Sequence, residues 1–368
     1  MTNQIGIIGC GKLGICYAIL FAKAGLKVYC YEINNKIIEA INNDTYNYIE
    51  PNLNEIIKKY KTNLIICNEI KDVIDNSSII ITFIQTPSLE DGSYNHSYIN
   101  NFIDNCIKLG IQETQKTIVI SSTVMPEYSA ELLAKVKDYN YDIIYNPSFI
   151  SQGSIIANII NPDFILIGNN NNNYNNLIEI HKKVIENPDV KFKIMSLNEA
   201  ELTKIAINCY ITMKISYANL IGDFAKSINC EPSIILDAIS NDTRIGNKYL
   251  SYGYGFGGPC LPRDNKALYH YYKNKNSNSN INLELCNIID KNNKNHLLFQ
   301  FDEMKNSKEP IEFKYITYKD SSDILEESQK LKLALLLADN GNEVIIYERP
   351  AIINQLQIKY PKLKFVNI

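Results

Sequence analysis

Apolar and polar positions along this chain fall into blocks whose period changes. Ile5 to Ile8 is a short apolar run, Gly9-Cys10-Gly11-Lys12-Leu13-Gly14 follows, and apolar residues at helical spacing then continue to about Ala24. A second run, Lys27 to Tyr31, ends at Glu32. Further strand-like runs lie at Asn63 to Cys67, Ser78 to Ile84, Thr117 to Ser121, Asp142 to Tyr145 and Asp163 to Gly168, with helical patterns between most of them. Short apolar runs bounded by turn residues predict strands, and apolar positions three and four apart predict helices. Their alternation predicts an α/β fold with a doubly wound parallel sheet.

From Leu197 the pattern becomes one long helix reaching about Asn229, then a second helix from about Pro232 to Asn241. Asp242-Thr243-Arg244-Ile245-Gly246 leads on to a glycine-rich stretch, Gly253 to Asp264. After a polar run, Lys273 to Asn282, come another helix, a strand at Phe313 to Tyr318, a helix from about Glu326 to Asp339 and a strand at Glu343 to Tyr347. Three regions follow: 1–196, 197–300 and 305–368. Two asparagine-rich segments, Asn169 to Asn176 and Lys273 to Asn282, read as solvated loops.

At 368 residues the chain has room for two or three cores. Hydrophobic residues make up 45% and charged residues 21%, and the formal net charge is -3, so nothing points to nucleic acid or an anionic membrane as partner. No apolar run approaches a membrane span, and the first residues lead directly into a strand with no sign of a leader. Nine scattered cysteines with no CxxC pair argue against a disulfide framework and a zinc site, and fit a reducing, cytoplasmic setting. His96, His181, His270 and His296 are isolated, so no metal is expected.

Strand, GxGxxG, helix, strand and acid form a dinucleotide fingerprint, in a Rossmann-type domain. Gly9, Gly11 and Gly14 with Lys12 and Leu13 would form the pyrophosphate turn, and Glu32 would bind the ribose hydroxyls. A carboxylate at Glu32 repels a 2′-phosphate, which favours NAD over NADP. Thr86-Pro87, Ser122-Thr123 and Asn146-Pro147 stand at strand ends, where such sheets bind ligands. On the long helix Lys204 and Asn208 are four apart and share a face. In GYGFGGPCLPRD, Pro259 and Pro262 bracket Cys260, which places the thiol outside a helix beside Arg263 and Asp264. A free cysteine is most often buried and inert. The fingerprint and the Lys204/Asn208 pair give this one a second reading, as a nucleophile.

Taken in order, these stretches resemble the UDP-glucose/GDP-mannose dehydrogenase family. GYGFGGPCLPRD is similar to its cysteine motif, KIAIN (Lys204 to Asn208) to its lysine/asparagine motif, and DTRIGNKYL to its substrate-arginine segment. SSTVMP is similar to its threonine loop and YKDSSDILEES to the entry of its C-terminal domain. The resemblance implies NAD-dependent oxidation of a nucleotide sugar, UDP-glucose by default, to a uronate at one site; GDP-mannose and UDP-N-acetylhexosamines are the other substrates. It implies that Lys204 and Asn208 stabilise the developing oxyanion, donors worth roughly 3–4 kcal/mol each. Cys260 would form a thiohemiacetal and then a thioester, Asp264 would orient Lys204 or a water, and Thr123 would help hold that water. Arg263, Thr86 and Gln152 fall among cofactor contacts. Ser148, Phe149, Arg244, Tyr249, Gly257 and Lys319 fall among contacts to the sugar nucleotide. A homodimer through the long helix is also implied, its arginine reaching the neighbouring subunit.

Two departures from the family pattern stand out. The family commonly has Asn-Pro-Glu-Phe followed by a second acid, whereas this chain reads Asn146-Pro147-Ser148-Phe149-Ile150-Ser151-Gln152. Ser148 and Gln152 bind water but do not take its proton near neutral pH. Slow thioester hydrolysis is therefore expected, relieved by Ser148→Glu. The third region also reads as a truncated α/β domain. A binding or assembly protein descended from such an enzyme, and a 3-hydroxyacid-type dehydrogenase, are the competing readings. The second of these leaves the cysteine stretch without a purpose.

Overall fold

In the computed structural model, which describes residues 3–43, 45–46, 50–150, 153–275 and 283–368, the chain divides into two compact units. The first comprises Met1–Leu89 with Tyr94–Lys204, and the second Glu90–Ser93 with Ile205–Ile368.

The first unit holds β1 (Gln4–Ile8), β2 (Lys27–Tyr31), β3 (Leu64–Ile66), β4 (Ile79–Thr82), β5 (Lys116–Ile120), β6 (Tyr141–Tyr145), β7 (Phe164–Gly168) and β8 (Lys191–Met195). They form one sheet in the order β3-β2-β1-β4-β5-β6-β7-β8. Neighbours run parallel except β6 and β7, which meet antiparallel at Tyr145 and Gly168. The connecting helices are α1 (Lys12–Lys23), α2 (Asn35–Asn42), α3 (Leu53–Tyr60), α4 (Ile70–Asp75), α5 (Ser97–Lys108), α6 (Tyr128–Val136), α7 (Ile155–Ile160) and α8 (Asn175–Lys182). Side chains alternate between two apolar layers: Ile5, Ile7, Ile81 and Val119 pack on one face, Ile80, Ile118, Ile120 and Ile143 on the other. All residues of β5 and β6 are buried, as expected of central strands covered on both faces. The strand order reverses between β1 and β4, so the carboxyl ends of these two strands flank the crevice where dinucleotides bind.

Two expectations for this unit need correction. β8 has no counterpart among the predicted strands. It is an edge strand whose Lys191, Lys193 and Ile194 are exposed, so it lacks the buried apolar run that marks its neighbours. The segment from Asn169 is also more than a solvated loop. Asn169 is buried, and its amide nitrogen donates to the Ile143 carbonyl at 3.0 Å while Asn171 donates to Asp142 at 2.7 Å. Asp142 lies fully buried in β6, and a buried carboxylate requires such donors.

α9 (Leu197–Ser227) begins in the first unit and continues into the second. The second unit adds α10 (Pro232–Ser240), α11 (Leu261–Lys275), α12 (Glu284–Met304) and a parallel sheet of β9 (Ile311–Lys314), β10 (Val344–Glu348) and β11 (Lys364–Asn367) in the order β11-β10-β9. α13 (Gln329–Asp339) and α14 (Pro350–Leu356) complete it. Phe313, Leu333, Leu337 and Ile346 sit in its apolar core.

β9 lies earlier than the predicted Phe313 to Tyr318. Tyr315 adopts a left-handed backbone (φ 54°) and the Ile316 N–H turns to the Glu348 carboxylate at 2.8 Å, which ends the ladder. α13 starts at Gln329 because Ser328 caps it by accepting from the Leu331 N–H, with Glu327 left-handed at φ 53° just before. α11, α14 and β11 were not predicted. α11 runs through Lys275, three residues into the polar run that read as a loop; residues 276–282 of that run lie outside the described residues. Among the described residues no helix is long and apolar enough to cross a membrane.

Candidate functional site

The first unit carries the dinucleotide turn between β1 and α1. Its three glycines differ in what a side chain there would meet. Gly9 has φ +91° and a Cβ there would meet the Phe83 carbonyl oxygen at 2.8 Å, while a Cβ on Gly14 would fall 1.9 Å from the Gly9 oxygen. A Cβ on Gly11 would meet nothing within 4 Å. Gly9 and Gly14 therefore let the chain pack on itself, and Gly11 leaves open space at the start of α1. Helix N-termini favour anionic groups. Lys12, exposed, and Leu13, half-buried, form the first turn of α1.

Glu32 is buried at the end of β2. Its carboxylate accepts the Cys10 N–H at 2.6 Å and the Asn34 N–H at 2.9 Å, so it is bound to the backbone of the turn itself. These residues fit NAD: a turn whose middle glycine is open, a helix start, and a carboxylate where a 2′-phosphate would be repelled. At the neighbouring strand ends, Thr86 Oγ1 donates to the Thr123 carbonyl at 2.8 Å. Gln152 lies outside the described residues.

Lys204 belongs to the same unit. Its side chain is buried, its ammonium donates to the Ser148 carbonyl at 2.9 Å and stands 4.4 Å from the centroid of the Phe149 ring. A carbonyl and an aromatic face together solvate a buried ammonium without neutralising it. Two residues near this lysine escaped the sequence reading. Tyr17 in α1 shares a 3.0 Å hydrogen bond with Ser148 Oγ. Glu201, one turn before Lys204, is fully buried and accepts the Ser129 N–H at 2.7 Å. Burial pushes the Glu201 carboxyl up to about 7. Neither sits in a motif, and only the fold reveals them.

The second unit holds the cysteine stretch. Cys260 is exposed and directly precedes α11, with its carbonyl accepting the Asp264 N–H at 2.8 Å. Pro262 sits in the first helical turn, where its missing N–H is not needed. The sulfur therefore stands at a helix start, where first-turn N–H groups favour negative charge. Asp264 is fully buried; it accepts the Asn208 amide at 2.6 Å and the Arg263 Nε at 3.2 Å.

The approach to Cys260 is clamped from α12. Asn293 accepts the Phe256 N–H at 2.9 Å and donates to the Phe256 carbonyl at 3.0 Å, and His296 Nε2 bonds the Gly253 carbonyl at 2.7 Å. Gly257 and Gly258 leave no room for side chains, since a Cβ would come within 2.3 Å of the Glu327 oxygen and 2.6 Å of the Tyr318 ring. Burial lifts the Tyr318 phenol above its ordinary range, and the proximity of Cys260 adds to this. Arg244 is exposed with its guanidinium on Asp242 of its own loop, at 2.6 Å. Tyr249, at φ 61°, and Lys319 are exposed as well. No group of metal-ligating side chains occurs among the described residues.

The UDP-glucose/GDP-mannose dehydrogenase family's NAD-binding domain matches residues 3–185, and its central domain matches residues 198–295. The chain belongs to this family. An uncharacterized protein of Methanocaldococcus jannaschii is 30% identical over 265 residues, which is 71% of this chain and 30% of that protein. The UDP-glucose 6-dehydrogenase TuaD of Bacillus subtilis is 28% identical over 280 residues, 74% of this chain and 59% of the relative. The match thus spans under two thirds of either relative's length. The structure of a UDP-glucose dehydrogenase from Pyrobaculum islandicum covers the whole chain, and 86% of that protein is covered, with a TM-score of 0.88 at 22% identity. That likeness supports the fold. The dinucleotide turn lies within the residues matched by the family's NAD-binding domain.

Proposed function

We propose that the protein oxidises the primary alcohol of a nucleotide sugar, UDP-glucose first among them, to the carboxylate through Cys260. Gly9, Gly11, Gly14 and Glu32 would hold NAD, which when bound supplies the two-electron acceptor. Lys204 and Asn208 would donate to the substrate oxygen as negative charge develops on it. Cys260 would add to the aldehyde carbon, and oxidation of that adduct would leave a thioester on the sulfur. Asp264 would hold the Asn208 amide, and Thr123 would help bind the water that releases the acid. The observation carrying this reading is the buried 2.6 Å bond between Asn208 and Asp264, four residues after the exposed Cys260. A binding protein descended from the enzyme would have no need to keep an oxyanion donor oriented behind a nucleophile.

Ser148 supports the second reading, an impaired enzyme that retains binding or assembly. Its hydroxyl faces a phenol, and neither group accepts a proton near neutral pH. The two readings separate by mass spectrometry of the Cys260 peptide after mixing with NAD and UDP-glucose. An acyl adduct supports the dehydrogenase with slow release; an unmodified peptide together with tight NAD binding and no NADH supports the binding protein.

A homodimer fits α9. Tyr210, Tyr217, Leu220 and Phe224 recur at helical spacing on one face of that helix and are each about half exposed or more. Leu220→Arg should then turn a dimer into a monomer by light scattering, whereas a wild-type monomer removes the idea.

A further inference from the structure

We infer that Tyr17 is a positioning residue of the reaction site: its phenol holds Ser148, whose carbonyl in turn holds the ammonium of Lys204. The inference rests on the reading of Lys204 as an oxyanion donor. The turn leaving β6 meets Lys204 through the Ser148 carbonyl at 2.9 Å and the Phe149 ring at 4.4 Å.

One end of that turn is fixed by Asn146, which donates to the Leu166 carbonyl at 2.8 Å and bonds His181 Nε2 at 2.8 Å. Two residues on, the side-chain anchor is the Ser148–Tyr17 hydrogen bond, which spans 131 positions of sequence. Tyr17 is itself buried and packed between rings. Its ring stacks on Phe83 at 4.9 Å and tilts against Phe21 at 5.9 Å. The Phe83 backbone carbonyl is the group that lies against Gly9, and its ring lies against Gly14. Burial pushes the Tyr17 hydroxyl up to about 12, so it keeps its proton and bonds as a neutral phenol.

A continuous packed path therefore runs from the cofactor turn through Phe83, Tyr17 and Ser148 to the lysine, all within the first unit. It gives a physical use to Ser148. A carboxylate at 148 would hold its own position through charge, whereas a serine depends on a neighbour to fix it. Tyr17 supplies that neighbour from α1, so the register of the dinucleotide helix sets the direction of the amine.

The test is a double-mutant cycle on Lys204 reactivity. Wild type, Tyr17→Phe, Ser148→Ala and the double variant are exposed to limiting acetic anhydride across pH, and acylation of the Lys204 peptide is followed by mass spectrometry. Thermal melts show that each variant is folded. Each single change should raise the Lys204 acylation rate about threefold to tenfold, the span of one hydrogen bond, and the double variant should rise no further than either single. Unchanged rates in both singles, or effects that multiply in the double, overturn the inference. Labelling needs no substrate, so it stands apart from the dehydrogenase reading. If wild type forms no NADH with any nucleotide sugar, that reading fails while the cycle still decides the role of Tyr17.

Discussion

The Asn208 amide donates to the Asp264 carboxylate across 2.6 Å, and both groups are buried. Because a carboxylate only accepts, this bond fixes which way the amide points: its nitrogen faces Asp264 and keeps one further N–H to offer. Asp264→Asn removes that constraint, since an amide there both donates and accepts. NADH formation by the variant should fall about 100- to 1,000-fold in kcat, the loss typical of one misplaced oxyanion donor, with little change in KM. A fall confined to KM would show that the pair serves ground-state binding.

The relief of slow hydrolysis expected from Ser148→Glu is limited by its neighbour Tyr17. The Tyr17 hydroxyl stands 3.0 Å from the Oγ of Ser148, which is half-buried, so the longer acid must displace this contact at a cost of about 1–3 kcal/mol of stability. Adding Tyr17→Leu makes room, and Tyr17→Leu with Ser148→Glu should turn over at least about tenfold faster than Ser148→Glu alone. Steady-state NADH rates compare them directly.

Glu201 links stability to pH. Burial raises its carboxyl from 4.5 to about 7 in the folded protein. A carboxyl raised on folding binds its proton more tightly in the native state, so its contribution is complete below pH 4.5 and is lost as pH rises toward 7. The loss is on the order of 3 kcal/mol. Glu201→Gln should remove this slope, so that denaturant midpoints of wild type and variant converge near pH 4 and the variant leads at pH 8.

The cysteine loop depends on Asn293. Its amide meets both backbone groups of the buried Phe256, so Asn293→Ala leaves a donor and an acceptor unpaired. A stability loss of about 2–4 kcal/mol is expected from denaturant unfolding. Alkylation of Cys260 should respond less, because its helix-start position is set by α11.

Much of this architecture was legible because it is local. The glycine fingerprint, Glu32 and the buried runs of β4 to β6 each carry their signal within a few residues, and so does the Lys204/Asn208 spacing. What escaped depends on distant partners. Nothing near Tyr17 announces Ser148, and Asn293 and His296 lie in a helix whose polar residues look solvated until they are found on the backbone of residues 253 to 256. β8 was hidden by its lysines, and β9 was misplaced because Tyr315 takes a left-handed conformation that composition does not reveal. The buried role of Asn169 arises from Asp142, on a different strand.

The central claim is that Cys260 carries the sugar through oxidation. The most direct measurement is the NADH progress curve on mixing the protein with NAD and a panel of nucleotide sugars, for wild type beside Cys260→Ser. The account predicts a burst of two NADH per protein with one sugar in wild type, a slow phase after it, and loss of the second NADH in Cys260→Ser. Equal steady production by both proteins, or no NADH from wild type with any member of the panel, would contradict it.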